Sequence, residues 1–509
     1  MFIALFITAI VVVILCLVFG VEDKDAPPGP NSIPILGSIP FVPKRFRAQG
    51  RLHIPKLFNY LTQIYGPIFR IYLGPIPTVV ITDLNLVKEA FKKDEVTARP
   101  PMKPFHEFRY GSADGNQRGV ILSSGLEWQD QRRFSLRQLR DFGFGRSSME
   151  AMILEEVQKL RKCLQKETGK PLDLSFKMNI SIINALWLIL VGERLELDDE
   201  RLLKIVRTMD KLLRETQVSG LFSVLFPNVY KMIHPRFKFA QETFESMRTL
   251  MKQAILEHKE TFQSGESPND FIDCYLKEIE NTKDPGSSFF QEQGLKSLDC
   301  VLIDLFMGGS ETTSITLIWT FLFLLHHPEG QEKIHEKLDS VIGSPFPPLQ
   351  DLPSLPLLGA VMSKILRLSR GVPKGVPLYV PQDTKGGDFV LKKGPSVRAN
   401  RAGVHLNPVF GENAKKFQPE RFLDKGGKFE SPDSSHFAPF SVGKLFCLGQ
   451  SLAKQKYFLF LRGIMQNFKL ISPSGRVLPN YRFSNDNNNR GFIRYAPKYD
   501  VILQSRPPI

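Results

Sequence analysis

The sequence predicts a mainly α-helical protein with small β-sheets, preceded by an N-terminal transmembrane helix. Three observations carry this. Helical periodicity fills most of 85–95, 128–142, 148–166, 200–216, 238–263, 296–326 and 449–467. Short β-rich runs bounded by Gly and Pro lie at 65–74 and 78–82, and short strands and turns return over 376–397. The first 20 residues carry no charged side chain, which is enough apolar chain to cross the hydrocarbon core as a helix.

The N-terminal run has a rival reading as a cleaved secretory peptide. It is long for such a peptide's apolar region, has no basic stretch before it, and Gly20-Val-Glu is a poor cleavage site. An uncleaved anchor over 1–20 is the expectation. Lys24 is the only nearby base, so charge does not fix the orientation. Ala26-Pro27-Pro28-Gly29-Pro30 cannot continue a helix and favours a stiff, extended chain. Pro34, Gly37 and Pro40 extend that character, so 21–40 reads as a hinge. No repeat or composition break divides the remainder of the chain, and 41–509 is taken as one domain.

Composition narrows the class. At 42% hydrophobic and 23% charged, the 509 residues suit a globular protein. The five cysteines are odd in number, scattered, and never in a C-x-x-C. That argues against a disulfide framework or a zinc site and for a reducing compartment. A net charge of +15 fits a membrane surface, an acidic protein or nucleic acid. With no basic low-complexity tail and no recognition motif, no nucleic-acid partner is expected.

Three constellations carry chemistry. Trp128 and Arg132 are four residues apart, on one face of a helix. An indole N–H and a guanidinium suit carboxylates. Arg133, Arg137 and Arg140 form a basic stripe on another face, and such stripes are usually just solvated. Next, Gly308-Gly309-Ser310-Glu311-Thr312-Thr313 interrupts the longest helical run. Each interior glycine costs about 1 kcal/mol against alanine, so a kink or a bare backbone surface is expected. Beside such a groove, Glu311 and Thr312 can relay protons to a small ligand such as dioxygen. A plain core helix or a membrane span would explain the apolar run alone. Last, Phe440-Ser-Val-Gly443-Lys-Leu445-Phe-Cys447-Leu-Gly449 surrounds one cysteine with turn-forming glycines. Such a loop can hold a thiolate as an axial ligand for haem iron. A buried free cysteine is the plainer alternative.

These motifs resemble those of the cytochrome P450 family, and the hinge resembles that of its animal microsomal, family-two-like members. The cysteine loop is similar to F-x-x-G-x-R-x-C-x-G at Phe440, Gly443, Cys447 and Gly449. The glycine-rich helix fits [AG]-G-x-[DE]-T-[TS] throughout, and Trp128-Gln-Asp-Gln-Arg132 fits W-x-x-x-R. The resemblance runs from the anchor to Phe468. It implies haem b held by Cys447, with Trp128, Arg132, Gly309, Phe440, Gly443 and Gly449 as cofactor-binding residues. It also implies Glu311 and Thr312 as catalytic proton handlers. The implied protein is an endoplasmic reticulum membrane monooxygenase with a cytosolic domain and a lumenal N-terminus. It would take electrons from NADPH-cytochrome P450 reductase, with cytochrome b5 as an optional donor, and oxygenate a small lipophilic substrate. The basic stripe, with Lys444, Lys454 and Lys456, would then dock the reductase. The segments Phe105 to Ile121, Leu221 to Phe237 and Val372 to Pro377 would line the pocket.

Three positions depart from the family. Pro419-Glu420-Arg421-Phe422 keeps the P-E-R-F segment, but the E-x-x-R helix reads Lys364-Ile-Leu-Arg367, placing Lys364 where the family has glutamate. Leu445 replaces an arginine, and Leu378 stands where many relatives have histidine, leaving Trp128 and Arg132 to carry most of the propionate contact. A divergent, catalytically impaired or non-catalytic haem-binding relative is therefore the alternative. A peroxide-using isomerase or dehydratase ranks below both, because such relatives often lack the acid–alcohol pair. Asn179-Ile-Ser181 is a glycosylation sequon expected to stay unmodified on a cytosolic domain.

Overall fold

The computed structural model describes residues 8–10, 25–33, 36–48, 51–100, 116–141, 147–195, 200–215, 235–262, 267–341, 349–373, 375–406, 410–411, 413–432, 436–481 and 493–507. Most of the expected anchor, Arg140 beyond its backbone, and the larger part of two expected pocket-lining segments (105–121 and 221–237) lie outside them. Within them the architecture is mainly helical with small sheets, as the sequence predicts.

The sheets come first. β1 (Arg47–Ala48) and β2 (Arg51–Leu52) form a short antiparallel pair ahead of α1 (Ile54–Tyr65). Pro55 sits in the first turn of α1, where its missing N–H costs nothing, and Gly66 ends the helix. β3 (Ile68–Leu73) turns back into β4 (Ile76–Ile81), so that Leu73 pairs with Ile76. Asp83 caps α2 (Leu84–Lys92), accepting the amides of Asn85 and Leu86.

The helical body comprises α3 (Gly125–Asp141), α4 (Ser147–Gln165), α5 (Ser175–Val191), α6 (Glu200–Glu215), α7 (Pro235–Thr261), α8 (Phe271–Asn281), α9 (Gln291–Gly309), α10 (Glu311–His326), α11 (Pro328–Val341) and α12 (Pro356–Ser369). The two-residue strand β5 (Pro171–Leu172) lies between α4 and α5. The C-terminal part adds β6 (Leu378–Tyr379), β7 (Thr384–Gly386), β8 (Phe389–Leu391), β9 (Ser396–Ala399), α13 (Arg401–Val404), α14 (Gln450–Asn467), β10 (Phe468–Ile471) and β11 (Val501–Ser505). The main sheet runs β3-β4-β9-β6, with β9 parallel to β4, and a second runs β10-β11-β5.

One core cluster unites α4, α5, α9, α10, α12 and α14. α14 lies so close to α4 that a Cβ on Gly463 would come within 2.3 Å of Val157. The main sheet separates two smaller clusters. One face packs Phe69, Ile71 and Val80 against α1. The other packs Val79, Ile81, Val397 and Leu378 against α2, with Val442 and Leu445 of the cysteine loop beside them. The loop is thereby anchored to the sheet.

Helices α1, α5, α8, α11, α12 and α13 fall outside the ranges that periodicity predicts. α5 shows why: it is apolar nearly all round and buried from Met178 through Trp187, so it has no polar stripe to mark a period. The run expected as one helix over 296–326 is two, interrupted at Ser310, whose ψ of −77° departs from helical geometry. The glycine pair predicts that break.

Candidate active site

The cysteine loop gets its shape from contacts on both sides. Lys444 N–H donates to the carbonyl of Phe91, at the end of α2, over 3.1 Å. Gly443 has φ +76°, and a Cβ there would lie 2.2 Å from that same carbonyl oxygen. No other residue type fits. Cys447 N–H then closes back onto the Phe440 carbonyl at 2.8 Å, and Gly449 caps α14.

The Cys447 thiol is solvent-accessible. Protein nevertheless surrounds it closely enough that desolvation dominates its titration, so it faces an internal hollow. Burial pushes the thiol up, while the Gly449 N–H, Arg401 and Arg132 pull it down. Those three favour the thiolate, the form that ligates metal.

Trp128 and Arg132 of α3 share one face as their spacing predicts, with the Arg132 guanidinium 5.8 Å from the Trp128 ring, and Arg132 reaches the loop. Arg132 donates to the Phe446 carbonyl at 2.8 Å and lies over the Phe446 ring at 4.7 Å. The Trp128 indole N–H is buried without a partner among the described residues. A buried orphan donor beside a guanidinium is what a carboxylate would satisfy. With a cysteine aimed at the same hollow, these residues fit haem: Cys447 for the iron, Trp128 and Arg132 for its carboxylates.

Sequence reasoning missed two further arginines. Arg99 is buried and ties two segments together, donating to the carbonyls of Ile121 (2.8 Å) and Pro377 (3.0 Å). Arg401, just after β9, donates to the carbonyl of Pro439, immediately before the cysteine loop, at 3.4 Å. The one available signal was an arginine pair, Arg398 and Arg401, in an otherwise weakly charged stretch. Arg398 pairs in register with Val80, on the sheet face toward α1, so only Arg401 belongs to the site.

At the α9–α10 break the exposed carbonyls are met by side chains. Thr312 Oγ1 donates to Gly308 O at 2.8 Å, and Lys456 Nζ to Gly309 O at 2.9 Å. Gly308 is exposed, and a Cβ there would meet only Ile121, at 3.9 Å. Gly309, expected at the cofactor, instead packs toward α5, where a Cβ would lie 2.8 Å from Leu186. The bare surface therefore belongs to Gly308. From it, Ile121, Arg99 and Pro377 lead to Leu378, which packs in the same cluster as Leu445 of the cysteine loop.

Glu311 and Thr312 are adjacent but diverge. Glu311 is buried, accepting from Asn179 Nδ2 at 2.5 Å and from the Tyr495 hydroxyl at 3.4 Å. Burial raises its carboxyl to about 7, with Asp210 adding to the rise and Asn179 opposing it. Near neutrality it can both give and take a proton. The sequon residue Asn179 is thus a core residue that holds this carboxyl.

Two further expectations meet the structure. Lys456 is not on a docking face: it is buried, and burial lowers its amine to about 7. Arg133 and Lys444 are exposed, and Arg137 is half-exposed, paired with Glu278 at 3.3 Å. Lys364 is fully buried, and its amine has no hydrogen-bond partner among the described residues. Burial, then Arg367 and Arg421, lower it to about 7. Glu420 pairs instead with Lys333 at 3.8 Å. Arg367 turns to the backbone, donating to His405 O at 2.6 Å and to Ala414 O, with its guanidinium over Phe410.

The family model "Cytochrome P450" matches residues 27–502. Similar curated proteins include "Cytochrome P450 2J2" of Homo sapiens, 34% identical across 90% of this chain and 88% of the relative. "Cytochrome P450 2C23" of Rattus norvegicus is 35% identical across 87% of each. "Cytochrome P450 2L1" of Panulirus argus is 31% identical across 95% of this chain and 96% of its own.

Proposed function

Since the chain belongs to the cytochrome P450 family and is a haem-thiolate monooxygenase, we propose that it is an endoplasmic reticulum member oxygenating a small lipophilic substrate with reductase-supplied electrons. The observation that carries this is the Cys447 loop, whose N–H and guanidinium neighbours favour a thiolate at an internal hollow. Haem, when bound, supplies the activation of dioxygen and the transfer of one oxygen atom. The residues of the chain do the rest. Cys447 Sγ would hold the iron, with the Gly449 N–H and the nearby guanidiniums favouring its thiolate against the burial that raises it. Trp128 and Arg132 hold the cofactor's carboxylates. Thr312 Oγ1, bonded to Gly308 O, holds a proton at the open side of the helix break. Glu311 holds another on the Asn179 side, so a transfer between them requires one side chain to rotate.

Thr312→Ala is expected to uncouple the cycle. Product per NADPH consumed falls and hydrogen peroxide rises, while the haem spectrum persists. Equal coupling in the variant would reduce Thr312 to helix packing.

On this reading residues 1–20 anchor the protein, 21–40 form the hinge and 41–509 form the haem domain. The basic face around Arg133, Arg137 and Lys444 suits an acidic redox partner, NADPH-cytochrome P450 reductase and, as a second donor, cytochrome b5. With the domain in the cytosol, Asn179 should carry no glycan in microsomes. Its buried bond to Glu311 makes a glycan incompatible with the folded site as well. A glycan found there by mass spectrometry would overturn the orientation. The uncompensated Lys364 bears on stability and does not by itself favour a non-catalytic relative.

A further inference from the structure

The cysteine loop lacks its arginine at position 445, yet a guanidinium sits beside it from elsewhere in the chain. Arg401 begins the short helix after β9. Its NH1 reaches the Pro439 carbonyl. On its other side it meets Gly375, where a Cβ would lie 3.1 Å from NH2 and 3.4 Å from Nε. Gly375 has φ +60° and no side chain, which lets that backbone pass over the guanidinium. Apolar groups enclose the rest: Leu84, Val87, Val404, Ala438 and Val442 line the small cavity that Arg401 borders. Val442 and Leu445 pack on the same cluster. Leu445 thus supplies apolar surface where Arg401 supplies charge.

Among the described residues, the one charged group that acts on Arg401 is Cys447. Burial otherwise opposes its charge. A partly buried guanidinium with a single, long hydrogen bond to protein among the described residues has donors to spare, and cations enclosed by protein are ordinarily paired.

We propose that Arg401 replaces the missing loop arginine, binding a haem carboxylate between the Gly375 turn and Pro439. This rests on the haem-thiolate reading and adds a cofactor-binding residue to it. Leucine in the loop and arginine on the sheet side then keep both apolar surface and charge at the site.

The test compares wild type, Arg401→Leu and Arg401→Lys, each reconstituted with haem and with haem dimethyl ester. Haem loss to excess apomyoglobin is the readout. A charged hydrogen bond contributes about 1.5–3 kcal/mol, so Arg401→Leu should lose haem at least about tenfold faster than wild type. Arg401→Lys, which keeps the charge without the planar fork, should fall between them. The wild type should discriminate against the ester, and Arg401→Leu should largely lose that discrimination. Adding Leu445→Arg to Arg401→Leu should restore retention. If Arg401→Leu loses haem and ester faster by the same factor, Arg401 serves only to brace the loop and the proposal fails. Unchanged haem loss would sink it as well. The thiolate-type band of the reduced carbon-monoxide complex should persist in Arg401→Leu. Its absence from the wild type would refute the haem-thiolate reading itself, a separate outcome.

Discussion

Cys447→Ser abolishes the thiolate-type spectrum of the reduced carbon-monoxide complex and all monooxygenase turnover. Cys163→Ser and Cys274→Ser leave both intact. The asymmetry comes from the surroundings of each thiol. Cys163 lies near the Lys177 amine at 3.7 Å but has no loop of amides around it. Cys274 sits on α8, far along the chain from the site. Buried Cys300 is pushed well above the ordinary thiol range by desolvation, with Asp299 and Asp304 adding to it. None of these sits in a loop with a backbone N–H and two guanidiniums directed at the sulfur, as Cys447 does. The measurement is a difference spectrum of each purified variant. A thiolate-type band surviving in Cys447→Ser would move the ligand elsewhere and undo the active-site assignment.

Lys364→Glu raises the melting temperature and the bound haem per protein. A fully buried amine faces Arg367 and Arg421 with no carboxylate bonded to it. Breaking a buried ion pair typically costs about 3–5 kcal/mol, a sizeable part of a domain's roughly 5–15 kcal/mol. Glutamate would supply the missing partner, and several degrees of melting temperature is the expected gain. The wild type carries a pH signature of the same strain. Its Lys364 amine is lowered from 10.5 to about 7 in the fold, so between those values the unfolded chain binds more protons. Stability contributed by this group therefore rises as pH increases from about 7 toward 10.5, and the burial penalty is greatest below 7. Lys364→Glu should lose that slope. Calorimetry at pH 6.5 and 9 measures it. An unchanged melting temperature with an unchanged slope would mean that the site is already compensated.

What the sequence revealed, and what it hid, divides along physical lines. The cysteine loop was legible because glycine spacing encodes local backbone geometry, and Gly443 bears this out by its approach to the Phe91 carbonyl. The helix break at Ser310 was legible for the same reason. Trp128 and Arg132 share a face because a step of four residues is just over one helical turn. Long-range placement was not legible. Periodicity gives Lys456 no address, and only the fold shows it buried against Gly309 O. Arg401 joins the site through β9 pairing with β4, a contact across more than 300 residues. Nor could adjacency in sequence show that Glu311 turns toward Asn179 while Thr312 turns to Gly308.

The interrupted helix pair has a consequence for how the chain is made. Residues Gln291–His326 together are long and apolar enough to cross a membrane, although most of that stretch is enclosed by protein in the finished fold. While the chain is still emerging, nothing encloses it, and machinery that sorts segments by hydrophobicity meets a second candidate for insertion after the N-terminal one. Asp304 weighs against that fate, because a central aspartate adds about 2.5–3.5 kcal/mol to the insertion cost. In the folded protein the same carboxylate takes the amides of Val120 and Ile121, each at 2.7 Å. One side chain thus raises the cost of inserting the helix into lipid and fastens the helix in place in the folded protein.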